Sequence, residues 1–359
     1  MKNIEKFLIS PNVSVKDAIA QIEKTGKKTV VVVDENKKVI GIFTDGDMRR
    51  YLLKNGDLSA PVQCAMNQNP IVFKENQSEE VKKQLEKRGL LVYPIVNEEG
   101  ELVSLVYWQD KDSEVHPTQK IPQDVSVIIM AGGQGTRLYP YTKVLPKPLI
   151  PINDHPICTH VINSFKKYGC KNFSLILNHK SNMIKAYYND IEKDYNLNYE
   201  VEDEFLGTAG GLKLLKGKVK DTCFVSNCDI LVDADLSCIY KWHKKENNLI
   251  TMVCALKEVK IPYGVINSKP NGEIINIEEK PAFSFLINVG VYLIEPEVIE
   301  NLNGEFIHMP DLAQKYIAEN KKVGVFPISP NDWLDMGQIK EMENMTRKLK
   351  EKYIGDKDE

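Results

Sequence analysis

The apolar positions before residue 112 follow a helix–strand–strand order that occurs twice. In the first copy, Val15, Ala18, Ile19 and Ile22 recur with the three-and-four spacing of one helix face. Ser14 immediately precedes this stretch and is a suitable N-cap. Two apolar runs, TVVVV and VIGIFT, follow and predict two strands, the first of them too apolar to be half exposed. The pattern predicts a small α+β unit.

The second copy is displaced by 63 residues, because Gly26 aligns with Gly89 and Val33 aligns with Val96. Its corresponding segments are QSEEVKKQLEKRG, LVYPIV and LVSLVY. A unit that buries its strand only against its own copy explains why the pattern is duplicated. We therefore predict a tandem module over residues 1–112, with copies at about 1–60 and 61–112.

A polar segment with two prolines, residues 113–123, is typical of a linker. Beyond it, apolar strands alternate with helical stretches. The run VSVIIM, from Val125 to Met130, is apolar at nearly every position, as expected for a central strand of a parallel sheet. The alternation predicts a mixed, mainly parallel α/β domain with Rossmann-like topology over residues 124–359.

Composition narrows the class of protein. A chain of 359 residues is too long for one hydrophobic core, and its net charge of −3 does not favour a nucleic-acid partner. It contains no secretion signal and no apolar run long enough to cross a membrane, so we expect no membrane partner. The seven cysteines form no CxxC pair. We expect reduced, mostly buried thiols in a cytoplasmic protein.

The first repeat ends its second strand in Thr44-x-x-Asp47. This hydroxyl and carboxylate can both reach the ribose hydroxyls of one ligand, whereas the simpler alternative is that Asp47 caps a helix beginning at Met48. The segment resembles the CBS domain, whose tandem pairs bind adenine or guanine nucleotides at this motif. The resemblance covers residues 4–112 and implies one regulatory nucleotide site, at Thr44 and Asp47, because Tyr107 replaces the threonine in the second copy. It also implies a homodimer or larger oligomer formed through these modules.

The strand VSVIIM leads directly into a glycine-rich turn. Glycines there let the backbone approach a ligand closely and direct successive N–H groups toward an anion. Arg137 adds a planar group suited to phosphate oxygens, and Lys147 supplies a second positive charge between two prolines. The spacing fits neither a Rossmann fingerprint nor a Walker A loop. The residues of the turn are Ala131, Gly132, Gly133, Gly135 and Thr136.

The segment 132–148 matches every specified position of G-G-x-G-T-R-L-x-P-x-T-x-x-x-P-K-P. The domain therefore resembles the sugar-1-phosphate nucleotidylyltransferases. The resemblance implies transfer of a nucleotidyl group from a nucleoside triphosphate to a sugar 1-phosphate, with release of pyrophosphate. It implies nucleotide contacts along the glycine-rich turn and catalytic roles for Arg137 and Lys147, which would neutralise triphosphate charge.

Two further parts of the sequence extend this resemblance, one to residues that would contact the nucleotide base and one to residues that would bind the metal ion. LGTAG implies base and ribose contacts by Gly207 and Thr208, and Thr208 could also cap the helical stretch that follows. Glu202, at the end of the strand LNYEV, could accept hydrogen bonds from a base edge or could be a solvated residue. Asp229 and Asp335 are the implied Mg²⁺ ligands, although either alone would be interpreted as a turn residue. Cys228 replaces the glycine usual before the first aspartate.

The same resemblance implies a sugar-binding side made by Gly264, Glu279 and Asn288. Lys280 would pair with the sugar's phosphate, although an exposed lysine is usually solvated. The domain architecture resembles the bacterial glucosamine-1-phosphate guanylyltransferases of legionaminic acid biosynthesis, which implies GTP and glucosamine 1-phosphate as substrates and GDP-glucosamine as product. The alternatives are a UTP- or dTTP-dependent transferase and a non-catalytic, nucleotide-sensing regulatory subunit.

Overall fold

A computed structural model describes residues 4–26, 28–54, 56–74, 92–107 and 120–354. The chain divides into two compact units, Met1–Thr118 and Gln119–Glu359. The helix expected at residues 77–89 of the second repeat lies outside the described residues.

The described part of the first unit contains two three-stranded sheets, β1-β2-β3 and β4-β5-β6. In each sheet the first pair of strands is parallel and the second pair is antiparallel, so the two sheets share one strand topology. The helix predicted in the first copy is also confirmed, since Ser14 Oγ accepts a hydrogen bond from Asp17 N at 3.0 Å and Gly26 ends the helix in the left-handed conformation. The elements are β1 (Leu8–Ile9), α1 (Val15–Thr25), β2 (Thr29–Val33), β3 (Val39–Thr44), α2 (Asp45–Lys54), β4 (Phe73–Lys74), β5 (Val92–Val96) and β6 (Leu102–Tyr107).

Two backbone hydrogen bonds join the two sheets of the first unit. Val39 N donates to Gly100 O at 3.1 Å, and Leu102 N donates to Lys37 O at 3.2 Å. The two bonds are equivalent in the two repeats. Leu102 lies 63 positions after Val39, and Lys37 lies 63 positions before Gly100. The repeats are therefore related by a local pseudo-two-fold axis.

The second unit is built on a seven-stranded sheet in the order β11-β10-β7-β12-β17-β14-β18. Strand β17 is antiparallel to both of its neighbours and the other pairings are parallel, which confirms the predicted mixed, mainly parallel sheet. Three two-stranded sheets, β8-β9, β13-β19 and β15-β16, complete the described strands of this unit. The strands of the unit are β7 (Ser126–Ala131), β8 (Pro151–Ile152), β9 (His155–Pro156), β10 (Asn172–Leu177), β11 (Asn196–Val201), β12 (Cys223–Asn227), β13 (Ile230–Val232), β14 (Ile250–Lys260), β15 (Gly264–Ser268), β16 (Ile274–Glu279), β17 (Ala282–Ile294), β18 (Val323–Ile328) and β19 (Trp333–Asp335).

Helices cover both faces of this sheet. Alternate residues of β7 enter different cores: Ile129 packs with Phe165 on one face, and Ile128 packs with Leu212 and Leu312 on the other. A strand buried on both faces has no solvent-facing side, which explains why β7 is apolar throughout. The helices are α3 (Tyr141–Val144), α4 (Ile157–Lys166), α5 (Ser181–Asp190), α6 (Gly207–Gly210), α7 (Leu236–Glu246), α8 (Pro296–Glu300), α9 (Met309–Ala318) and α10 (Ile339–Ile354).

The cysteines are free thiols, and five of the seven are buried, as the sequence predicts. Burial raises the pKa of the Cys158, Cys170 and Cys254 thiols to about 12, so these groups stay protonated at neutral pH. The two exposed thiols are Cys64 in the first unit and Cys238 in the second. Among the described residues, no helix combines the length and the apolar character needed to cross a bilayer.

Candidate active site

The predicted nucleotide residues meet at one edge of the large sheet. Strands β7, β10, β11 and β12 are parallel, so their carboxyl ends lie together. The residues that follow these strands are Gly132, Asn178, Glu202 and Cys228, respectively. Ligands of open α/β sheets bind at this edge, because the loops there come from several strands.

The glycine-rich turn after β7 is closely packed at one point. Gly135 has φ +66°, and a Cβ on it would lie 3.1 Å from Cβ of Lys147. Thr142 Oγ1 donates a hydrogen bond to Gly135 O at 2.8 Å, which fixes the turn from the other side. Another side chain at position 135 would therefore be strained and would displace the lysine. Ala131 and Gly132 are buried, whereas Gly133, Thr136 and Arg137 are exposed to a potential ligand.

Lys147 begins the short 3-10 helix Lys147–Leu149, and its side chain is 13% exposed. Its ammonium group forms an ion pair with the carboxylate of Asp229. Burial alone would lower the pKa of Lys147, but the nearby Asp229 carboxylate more than offsets this effect, so the pKa is raised. Lys147 is therefore a fixed positive charge at neutral pH.

Asp229 and Asp335 are brought together by the pairing of β13 with β19. Ile230 lies opposite Asp335 in this antiparallel pair, and Met336 N donates to Asp229 O at 3.0 Å. Burial and the Asp229 charge raise the pKa of Asp335, while Lys147 and Arg137 oppose this rise. The sequence-predicted metal carboxylates and the two predicted cations thus act on one another electrostatically.

Cys228 stands where the resemblance implies glycine, and its backbone has no positive φ. The thiol side chain is 6% exposed and packs in the core beside the sheet. The substitution is therefore compatible with the local backbone. The close approach is made instead at Gly290, with φ +83°, where a Cβ would lie 2.5 Å from Asn227 Nδ2.

Glu202 is a buried carboxylate, not a solvated strand end, with 4% of its surface exposed. Oε1 accepts a hydrogen bond from Leu206 N at 3.2 Å, whereas Oε2 is buried without a hydrogen-bond partner. Burial raises the pKa of this group above its ordinary value. Glycines make room for it, since a Cβ on Gly132 or Gly211 would lie 2.8 or 2.5 Å from its oxygens. An unpartnered buried acceptor is costly unless a ligand supplies the donor.

The LGTAG segment is held by a second chain segment, residues 305–309, that the sequence reasoning missed. Ala209 N and Gly210 N both donate to Ile307 O, at 3.0 and 3.2 Å. Gly207 has φ +83°, and a Cβ on it would lie 2.5 Å from the same carbonyl oxygen. The glycine is therefore required by a neighbouring backbone. Pro310 in the first turn of α9 is the sequence signal that could have marked this segment as a structured helix start.

The prediction that Thr208 caps the helical stretch after it is wrong. That stretch forms the 3-10 helix Gly211–Leu215, and the Thr208 hydroxyl instead accepts a hydrogen bond from Met309 N at 3.0 Å. Thr208 thus caps α9, whose first residue is Met309. A sequence pattern shows only local caps, and this one joins residues about a hundred positions apart.

The predicted sugar-side residues Gly264, Glu279 and Asn288 lie on β15, β16 and β17. Gly264 pairs with Glu279 across the β15–β16 hairpin. The side chains of Lys280 and Glu279 are 69% and 73% exposed and lie 3.8 Å from each other. Asn288 Nδ2 donates to Tyr292 Oη at 2.6 Å, within the large sheet. Among the described residues, no hydrogen bond or ion pair links Lys280 to Lys147, Asp229 or Asp335.

In the first unit, Thr44 and Asp47 form a reciprocal capping box. Thr44 N and Oγ1 donate to Asp47 Oδ2 at 3.0 and 2.6 Å, and Asp47 N donates back to Thr44 Oγ1 at 3.3 Å. Helix α2 begins at Asp45, so the expectation of a helix starting at Met48 with Asp47 as its cap is wrong. The other Asp47 oxygen accepts a hydrogen bond from Arg50.

A cavity of about 340 Å³ lies beside this capping box, within the first unit. Its lining includes one carboxylate, Asp47, and two cationic side chains, Arg50 and Lys54. The remaining lining comes from Tyr51 and the segment 64–68. Thr44 is not among the lining residues, so Asp47 is the member of the motif that faces this space.

Comparison with known proteins agrees with this geometry. Residues 126–352 match the nucleotidyl transferase family, and residues 4–54 match the CBS domain. The chain is 32% identical over 227 residues to a mannose-1-phosphate guanyltransferase of Aspergillus fumigatus, covering 60% of this chain and 62% of that protein. It is 29% identical over 243 residues to a UTP–glucose-1-phosphate uridylyltransferase of Synechocystis, covering 60% of this chain and 61% of that protein. The chain thus spans about three-fifths of the length of these curated relatives.

The fold is also shared with a solved structure. HddC from Yersinia pseudotuberculosis is superimposed with a TM-score of 0.51 at 21% sequence identity, covering 63% of this chain and 99% of that one. At this level of identity the likeness concerns the fold. Because the family match covers most of the chain and includes the residues gathered at the sheet edge, the chain belongs to the nucleotidyl transferase family.

Proposed function

We propose that this chain transfers a nucleotidyl group from a nucleoside triphosphate to a sugar 1-phosphate and releases pyrophosphate. The observation that carries the proposal is the meeting of Lys147, Asp229 and Asp335 beside a glycine-rich turn. A buried cation next to two carboxylates suits a polyphosphate that arrives with a divalent cation.

The reaction needs little from the protein beyond positioning and charge. An oxygen of the sugar phosphate attacks the α-phosphorus, a new P–O bond forms, and the bond to the leaving pyrophosphate breaks. The attacking oxygen is already anionic, so no general base is required. Lys147 and the exposed Arg137 would neutralise the triphosphate, and Lys280 would approach the sugar's phosphate from the connection between β16 and β17. Gly264, Glu279 and Asn288 would line the sugar side.

The donor set at Asp229 and Asp335 fits Mg²⁺. Two carboxylates provide hard oxygen ligands, and Mg²⁺ takes its remaining ligands from water and substrate phosphates. Within the described residues, no group of three or more His, Cys, Asp or Glu side chains forms a complete cage. When bound, the ion would neutralise developing charge on the phosphates. Lys147 would exchange its partner Asp229 for a phosphate oxygen at that moment.

Glu202 supports GTP as the nucleotide. Ionised carboxylates only accept hydrogen bonds, and the Oε2 atom of Glu202 has no partner. Guanine presents two adjacent donors, N1–H and the 2-amino group, which match the two oxygens of a carboxylate. Uracil and thymine present one donor between two carbonyl oxygens. If that donor bonds one carboxylate oxygen of Glu202, a carbonyl oxygen of the base faces the other, and the two negative atoms repel each other. Recognition by Glu202 therefore favours guanine.

For the sugar we propose glucosamine 1-phosphate, with GDP-glucosamine as product for legionaminic acid biosynthesis. The support is the order of domains, a CBS module followed by the transferase domain. The named activities of the relatives make mannose 1-phosphate with GTP, or glucose 1-phosphate with UTP, the alternatives.

We further propose that the cavity beside Asp47 binds a regulatory nucleotide and that the first unit mediates homodimerisation. The alternative to an enzyme is a non-catalytic regulatory subunit that senses nucleotides.

The decisive experiment is pyrophosphate release with GTP, UTP, dTTP, CTP and ATP, each combined with glucosamine, N-acetylglucosamine, glucose and mannose 1-phosphates in the presence of Mg²⁺. Turnover confined to GTP with glucosamine 1-phosphate is expected. Turnover with UTP or dTTP alone would retain the reaction and reject the guanine assignment. No turnover with any pair would reject the enzymatic proposal in favour of a regulatory subunit.

A further inference from the structure

Three consecutive residues after β10 hydrogen-bond to three different parts of the candidate active site. We call this segment, Asn178 to Lys180, the β10 brace. His179 N donates to Gly132 O at 3.3 Å, and Asn178 Nδ2 donates to Glu202 O at 3.0 Å. The brace thus joins the glycine-rich turn to the carboxylate on the base side. None of its residues belongs to the motifs identified in the sequence.

Lys180 makes the third and most extensive contact of the brace. Its ammonium group donates to the backbone oxygens of Thr142, Lys143 and Val144, at 3.1, 2.7 and 3.0 Å. These are the last carbonyls of α3, which have no partner within the helix and carry the negative end of its dipole. All three donors of the ammonium group are therefore used on one short helix. This is a dedicated helix C-cap supplied by another chain segment.

The backbone of Lys180 indicates that this contact is maintained at a cost. Lys180 has φ +53°, the left-handed conformation. This conformation is unfavourable for a residue with a Cβ, because the Cβ lies too close to the following carbonyl oxygen. Glycine or asparagine would relieve the cost but could not reach the carbonyls of α3 with an ammonium group. The conformation persists because the surrounding contacts determine it.

A continuous series of contacts runs from Lys180 to Lys147. Lys180 holds the carbonyl of Thr142, and the side chain of Thr142, 1% exposed, holds Gly135 O at 2.8 Å. Gly135 in turn packs against the side-chain stem of Lys147. A displacement of α3 would therefore reach both the glycine-rich turn and the cation beside Asp229.

We propose that Lys180 is a positioning residue for nucleotide binding, an inference that rests on the proposed function. By fixing α3 it holds the turn and Lys147 in their binding arrangement before the nucleotide arrives. Preorganisation of this kind reduces the ordering that binding must otherwise produce. Lys180 itself spends its three donors on the backbone and would act through α3.

The test uses the full-length protein with Lys180→Met, which removes the ammonium group and retains an apolar stem. Without substrate, we expect amide hydrogen exchange in peptides covering residues 132–148 to become faster by several-fold. In turnover assays, we expect KM for the nucleotide to rise on the order of 10-fold with a smaller fall in kcat, while KM for the sugar 1-phosphate is unchanged. Lys180→Arg should restore part of the loss, because it keeps the charge and several donors.

Lys185→Met is the matched control, because Lys185 lies on the next turn of α5 and its ammonium group makes no hydrogen bond to the described part of the chain. It should leave exchange and KM unchanged. Thr142→Val removes the next link at nearly constant volume and should also accelerate exchange in 132–148. Combined with Lys180→Met, it should add less than its separate effect. If Lys180→Met does not fold, Lys180→Gln, which removes the ammonium group but keeps a polar end, decides the question by the same exchange measurement.

Unchanged exchange at residues 132–148 in Lys180→Met would overturn the proposal, and so would equal increases in both KM values that Arg does not rescue. Because exchange is measured without substrate, it is independent of the reaction. Failure of the wild type to turn over any pair of substrates would reject the proposed function, whereas an active wild type with an unaffected Lys180→Met would reject only the role of Lys180.

Discussion

The ammonium group of Lys147 lies against the carboxylate of Asp229, although 82 residues separate them in the chain. Lys147 lies on the proline-flanked segment after the glycine-rich turn, and Asp229 lies in the turn between β12 and β13. The pair is almost buried, with 13% and 11% of the side chains exposed. A pair of this kind is held by the fold and is available to exchange partners when a polyphosphate enters.

Replacement of Lys147 by alanine should lower kcat on the order of 10²–10³-fold, because one preorganised electrostatic group is lost. Lys147→Arg should recover only part of this, since a planar guanidinium does not reproduce a compact ammonium. Steady-state pyrophosphate release measures the effect. Lys167→Ala, an exposed lysine at the end of α4, is the control and should match the wild type. Wild-type turnover in Lys147→Ala would contradict the catalytic assignment.

Replacement of Glu202 by glutamine should change base preference. Glutamine offers one acceptor and places a donor where guanine needs an acceptor, so kcat/KM with GTP should fall about 10- to 100-fold. The relative use of UTP should rise. Competition between GTP and UTP in one assay measures the ratio, with the exposed neighbour Glu204→Gln as control. An unaltered ratio would show that the base is read elsewhere.

Replacement of Cys228 by glycine should destabilise the protein without increasing activity. The backbone at Cys228 needs no positive φ, so glycine adds conformational freedom to the unfolded chain and removes buried side-chain atoms. We expect Cys228→Gly to be less stable than Cys228→Ala by about 0.5–1 kcal/mol. Chemical denaturation of both variants measures this difference. Higher stability in the glycine variant would mean that the local backbone is strained by cysteine.

Glu295 should contribute to the acid sensitivity of the fold. Hydrogen bonds from His243 (3.1 Å), Thr222 (2.7 Å) and Lys244 (3.2 Å) lower the pKa of Glu295 from 4.5 to about 2. Because the folded-state pKa is depressed, the stabilisation is fully present above pH 4.5 and is lost as the pH falls toward 2. Its size, reduced for partial exposure, is about 1–2 kcal/mol.

Glu295→Gln should therefore lower the free energy of unfolding at pH 7 by that amount and by much less near pH 3. Denaturation curves across this range measure the difference between the variant and the wild type. Glu192→Gln, at an exposed position, should give a constant small offset. A Glu295→Gln deficit that does not shrink in acid would mean that the charge of Glu295 is not the stabilising element.

Replacement of Thr44 by valine should destabilise α2 by about 1 kcal/mol, because the reciprocal capping box is lost. Asp47→Asn should cost less, since asparagine can still accept from Thr44 N while the ion pair with Arg50 disappears. Amide exchange in α2 measures both effects. Equal exchange in wild type and Thr44→Val would indicate that the motif serves a ligand and not the helix.

Much of the fold could be predicted because its signals are local. Burial of β7 on both faces produces its unbroken apolar run, and α1 carries its cap and its left-handed Gly26 within one segment. Helix α2 begins three residues before the predicted Met48, because Thr44 and Asp47 hydrogen-bond to each other and so include Asp45 to Asp47 in the first turn.

The site was predictable only where the chain carries a long motif. Residues 132–148 match such a motif, whereas the burial of Glu202 depends on Gly132 and Gly211 from two other segments. The sequence alone therefore does not distinguish a solvated Glu202 from one that accepts hydrogen bonds from a base, because only the fold brings these segments around it. Lys180 and Ile307 act through backbone atoms of distant segments, and such contacts leave no periodicity or spacing in the sequence.

The distribution of thiols makes each unit separately addressable by chemistry. Cys64 is the single cysteine of the first unit and Cys238 the single exposed cysteine of the second, while burial raises the pKa of the thiols of Cys158, Cys170 and Cys254. A maleimide spin label or fluorophore should therefore modify the unmutated protein at two positions, one in each unit. Labels at these two cysteines would report the distance between the two units, and changes in that distance can be measured as nucleotides are added.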